Sequence, residues 1–76
     1  MQRMQLCLAS AEDLLKVQEA MRTVQLMMPR IELHSLVDAD GKTVHFTCDS
    51  MDSLTLSSAV IMLKTMLGTM GHVKVS

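Results

Sequence analysis

Ile31-Glu32-Leu33-His34-Ser35-Leu36-Val37-Asp38-Ala39-Asp40-Gly41-Lys42-Thr43-Val44-His45-Phe46-Thr47-Cys48 is the stretch that decides the fold. Two runs, Ile31 to Val37 and Lys42 to Cys48, flank Asp40-Gly41, a dipeptide suited to the two positive-φ positions of a type I′ hairpin turn. A turn placed there pairs Ala39 with Lys42 and Val37 with Val44. It sets Ile31, Leu33, Val37, Val44, Phe46 and Cys48 on one face, with Ser35 the one polar member. The opposite face collects Glu32, His34, Asp38, Thr43, His45 and Thr47, with Leu36 the exception. A slip of one residue would mix the two sets, so the apolar pattern and the turn agree on one register.

Upstream of the hairpin, Arg3-Met4-Gln5-Leu6-Cys7-Leu8 alternates with period two, as a strand with one buried face does. Ser10 then offers an N-cap, and Glu12 and Asp13 favour the positive end of a helix dipole. Leu14, Val17, Met21 and Val24 recur at helical spacing, flanked by Leu15 and Ala20, which predicts a helix from about Ala11 to about Val24. Pro29 closes that segment. Downstream, Asp49-Ser50-Met51-Asp52-Ser53 is a polar helix entry, and the helix it opens should reach about Met70, with Gly68 and Gly71 as stops. Its inward stripe is Leu56, Ala59, Val60, Leu63, Met66, Leu67 and Met70. The tail from His72 alternates and is either a fourth strand or a frayed end. One α+β domain over 1–76 follows: an antiparallel sheet of three or four strands in the order β-α-β-β-α(-β), with both helices on one face.

Composition narrows the function classes. The chain has 76 residues, 49% of them hydrophobic, yet Phe46 is its single aromatic and methionine occurs 9 times. A domain of this size buries only about 60% of its unfolded surface and gains from a partner. Methionine suits both irregular cores and adaptable contact faces. A net charge of −1 gives no basic footprint for nucleic acid or an anionic membrane. Tight RNA binding by this chain alone is not expected, and a base-stacking sheet would need aromatics on its strands. Ala9-Ser10-Ala11 resembles a signal-peptidase site, but the apolar stretch before it is too short for a secretory leader. Lys64 ends the longest uncharged run short of a membrane span. A soluble, cytoplasmic protein is expected. Cys7 and Cys48 fit free thiols in a reducing compartment, with a bridge between them left open.

Sites of chemistry find little support. His34 and His45 lie diagonally on the polar face, and Glu32 or Asp38 would have to complete a metal site; solvated histidines are the simpler reading. Gly41-Lys42-Thr43 lacks the upstream glycine of a phosphate loop, since position 36 is Leu. Asp38-Ala39-Asp40-Gly41 lacks the spacing and the downstream Glu of a calcium loop. Cys48 points into the core, where a thiol is inert, and Cys7 faces the other side of the sheet. No catalytic residue, metal site or cofactor is expected.

The second helix raises a different expectation. Away from its inward stripe it carries Leu54, Ser58, Ile61, Met62, Thr65 and Thr69, and Lys64 is its one charge between Asp52 and His72. A helix apolar over most of its circumference is usually covered on more than one side. In so small a domain the second cover must come from another chain.

From Arg30 onward the chain resembles the small dimerising subunit of the KEOPS complex, which makes the threonylcarbamoyl modification of tRNA adenosine. The likeness lies in Ile31-Glu32-Leu33, in Asp40-Gly41-Lys42-Thr43-Val44-His45-Phe46, in the acid at Asp52 followed by Ser53-Leu54-Thr55-Leu56-Ser57-Ser58-Ala59-Val60, and in Leu63-Lys64-Thr65-Met66-Leu67-Gly68-Thr69-Met70. It covers a little over half the chain. Met27-Met28-Pro29 departs from a stretch usually richer in charge, and the end at His72-Val73-Lys74-Val75 departs from the usual aromatic or acidic one. The resemblance implies a non-catalytic subunit that forms a homodimer through its sheet and offers its helices to the catalytic, ATP-dependent subunit. The residues implied for that contact are Leu54, Ser58, Ile61, Met62, Thr65 and Thr69, with Met21 and Val24 from the first helix. The alternative is a ferredoxin-like regulatory module that senses a small molecule, in which the tail is a true fourth strand.

Overall fold

A computed structural model describes residues 1–75; Ser76, the last residue of the alternating tail, lies outside the described residues. Strand β1 (Gln2–Leu8) leads through a 3-10 turn (Ala11–Asp13) into α1 (Leu14–Met27). Strands β2 (Glu32–Val37) and β3 (Thr43–Asp49) form the hairpin, followed by α2 (Ser53–Leu67) and β4 (Gly71–Val75). The sheet is antiparallel throughout, in the order β2-β3-β1-β4. Each helix therefore carries the chain over one intervening strand, giving two interleaved split β-α-β units. The tail is a strand: Val73 pairs with Leu6 and Val75 with Met4.

The hairpin keeps the expected register, Val37 opposite Val44, but not the expected turn. Gly41 alone has a positive φ, of 72°, so Asp40 does not take the left-handed conformation that a type I′ turn demands. The connection is wider. Asp38 N–H donates to the Thr43 carbonyl at 2.9 Å, and Gly41 N–H donates to the Asp38 carbonyl at 3.0 Å. Ala39 and Lys42 belong to the loop and are not a ladder pair. The physical gain is visible in Asp40, whose carboxylate accepts from Lys42 N–H, Thr43 N–H and the Thr43 hydroxyl at 2.9, 2.9 and 2.8 Å. A left-handed Asp costs roughly 1–2 kcal/mol, which this arrangement avoids.

The helical segment opens at Ala11 as expected, but as a 3-10 turn capped by Ser10; α1 itself begins at Leu14, where Asp13 makes no side-chain cap bond, and α2 begins at its predicted polar entry. The Ser10 hydroxyl accepts from Glu12 N–H, and the Asp52 carboxylate accepts from Leu54 N–H and from the Thr55 hydroxyl. α1 runs on to Met27, past the expected end at Val24, because nothing before Pro29 stops it; Met28, preceding the proline, is already non-helical. α2 ends at Leu67, three residues before Met70, with Gly68 as its C-cap.

Between sheet and helices lies one apolar layer. Met4, Leu6 and Leu8 of β1, Ile31 just before β2, and Val44, Phe46 and Cys48 of β3 meet Val17, Ala20 and Val24 of α1 and Ala59, Leu63 and Leu67 of α2. Leu56, Val60, Met66 and Met70 pack at its margin. Phe46 fills the centre that other small domains give to several aromatics. Cys48 is fully buried in this layer while Cys7 is exposed on the opposite face, and both thiols are free.

Candidate functional site

Once the core has claimed Ala59, Leu63 and Leu67, a helical turn of 100° per residue leaves Leu54, Ile61 and their neighbours pointing away from the sheet. Leu54 is 77% exposed and Ile61 65%. Ser58, Thr65 and Thr69 are exposed beside them. Two of the hydroxyls of this surface turn inward. Thr65 Oγ1 donates to the Ile61 carbonyl at 2.9 Å and Thr69 Oγ1 to the Met66 carbonyl at 2.8 Å. Hydroxyls satisfied by their own helix leave methyl groups to face outward, so the surface is more apolar than its composition suggests. Ser58, Ile61, Met62, Thr65 and Met66 line a shallow groove of about 370 Å³ along the helix.

Not every expected contact residue belongs here. Val24 is 0% exposed, locked among the core side chains of α1, and has no surface to offer. The α1 stripe that carries it is the inward stripe, and spacing alone did not separate inner from outer positions. Met21 and Met62 are half-buried and pack against the core, so they border the surface without standing on it. α1 instead exposes Leu15, Leu26 and Met27. These were not expected as contact residues. The signal for the last two was their place one or two residues before the helix stop, where a helix outruns its sheet.

The other groups scatter. His45 Nε2 lies 3.0 Å from Asp38 Oδ2, with His34 diagonal to His45 on the same sheet face. Among the described residues no group of three or more His, Cys, Asp or Glu is placed to hold a metal ion. Burial, and secondarily the Asp49 carboxylate, pushes the Cys48 thiol above its ordinary range and away from the reactive thiolate. A second concavity, of about 420 Å³, is bounded by Arg30, Glu32, Asp49, Ser50 and Met51. Asp49 there already holds the Met1 ammonium at 3.4 Å and caps Ser50 N–H. No nucleophile faces a base across it. None of the described helices is long and apolar enough to cross a membrane. Comparison with known proteins finds no matching family model, no matching curated protein and no matching solved structure.

Proposed function

We propose that the chain is a non-catalytic, paired subunit of a tRNA-modifying assembly of the KEOPS kind, docking on the catalytic ATP-dependent subunit through the outer face of α2. The observation that carries this is the exposure of Leu54 and Ile61 on a helix whose one charge is Lys64, beside a groove in which the Thr65 hydroxyl turns inward. The sequence resemblance is concentrated in the same helix. Covering either side chain with a partner contributes roughly 1.5–3 kcal/mol. The test is recovery of tagged chain from its native host, with partners identified by mass spectrometry and rebuilt from purified components. The wild-type chain is expected to bring down an ATP-dependent tRNA-modifying subunit, and Ile61→Glu to lose it with an unchanged circular dichroism spectrum. Ile61 is a better choice than Met62, whose side chain also packs against the core. Retention of that subunit by Ile61→Glu, or a recovered set without a tRNA enzyme, overturns the proposal.

One observation favours a second reading. The pairing of Val73 and Val75 with β1 completes the four-stranded sheet that a ferredoxin-like sensing module requires. A rise in thermal midpoint with a free amino acid or nucleotide would select that reading.

A further inference from the structure

Two of the chain's methionines, Met62 and Met66, stand in the wall of the groove on α2. They are one helical turn apart, so their thioethers share one side of the helix. Each packs against the core on one side and stays partly open to solvent on the other. A molecule as small as hydrogen peroxide therefore meets them without unfolding of the chain. Met1, Met27 and Met51 are more exposed and take up oxygen more readily, but none of them lines the groove.

Oxidation replaces a soft apolar thioether by a sulfoxide, whose oxygen is a polar acceptor. The hydroxyls nearby decide what that oxygen meets. Thr65 Oγ1 is committed to the Ile61 carbonyl at 2.9 Å, and Thr69 Oγ1 to the Met66 carbonyl at 2.8 Å. The backbone N–H groups here are engaged in the helix itself. Lys64 lies about 200° round the helix from either methionine. Ser58 also lines the groove, one turn before Met62 but two turns before Met66. Among the described residues, no uncommitted hydroxyl lies within one turn of Met66. Water satisfies a sulfoxide there while the face is open. A partner that covers the face expels the water and leaves the oxygen buried without a donor.

We propose that Met62 and Met66 form a peroxide-sensitive switch on the docking face of α2: as thioethers they admit the partner, and as sulfoxides they exclude it. This rests on the reading of that face as the docking surface and adds how it is regulated. In the forward step one peroxide oxygen passes to sulfur, which is oxidised by two electrons, and the peroxide leaves as water. In the reverse step methionine sulfoxide reductase returns the thioether and releases the oxygen as water, while a dithiol is oxidised to a disulfide.

The measurement is the affinity of the full chain for the purified ATP-dependent subunit before and after hydrogen peroxide, with each methionine followed by mass spectrometry. Peroxide should place oxygen on Met62 and Met66 at an unchanged circular dichroism spectrum and weaken docking by about tenfold or more. Reductase with dithiothreitol should restore it. Leucine matches methionine in volume and apolar character but takes up no oxygen. The Met62→Leu, Met66→Leu double variant, compared with its own untreated form, should therefore dock equally before and after peroxide. An untreated wild type that binds no such subunit overturns the docking reading and this inference with it. Where the untreated wild type docks, the switch alone is overturned by equal docking with sulfoxide at both positions, by oxygen confined to Met1, Met27 and Met51, by unfolding on oxidation, or by a peroxide-induced loss in the leucine variant.

Discussion

Asp52 holds the start of α2 by accepting from Thr55 Oγ1 at 2.7 Å and from Leu54 N–H, and these bonds set its carboxyl below the usual carboxylate value. A group whose folded pKa is depressed adds stability above its unfolded value, near 3.8, and loses it as pH falls through the folded value. Asp52→Ala should therefore lower the thermal midpoint at neutral pH. The gap to wild type should narrow in acid, which thermal melts across pH 2–7 would show. Gly71 is constrained by space. A Cβ built on it would strike the backbone carbonyl of Cys7, where β4 begins its ladder with β1. Gly71→Ala is expected to cost about 1–3 kcal/mol in urea unfolding, because neither strand can yield without breaking the Leu8–Gly71 pair. Gly41, with open space around it, is held to glycine by its positive φ alone.

Among the elements, α2 divides into two faces that respond differently to change. Leu63→Ala, at a fully buried position, should cost about 2–5 kcal/mol, while Ile61→Glu should leave unfolding nearly unchanged; denaturant melts of the two variants measure the contrast. The hairpin register, the order β-α-β-β-α, the start of α2 and its inward stripe were legible because period, caps and register agree at those places, whereas the tail had been left as strand or frayed end. What escaped was decided by tertiary packing. Val24 and Met21 share the apolar spacing of α1 with the surface residues of an amphipathic helix, and only the sheet beneath fixed which side was inner. The turn escaped because Asp40 trades a left-handed backbone for three donors to its carboxylate, a choice that the dipeptide alone does not encode. The outer face of α2 was legible as a shortage of charge, but the inward turn of its threonine hydroxyls was not.

At the scale of the molecule, one apolar layer holds both split units together, so neither helix has a core of its own. β1 and β4 are neighbours, and Met4 opposite Val75 is the outermost pair of their ladder. Tension applied through the two ends of the chain thus loads the bonds of that ladder in series, peeling β4 away like a zip rather than shearing it. The protein should yield at low force from its C-terminal side, and a single-molecule pulling trace should show β4 detaching before the rest unravels.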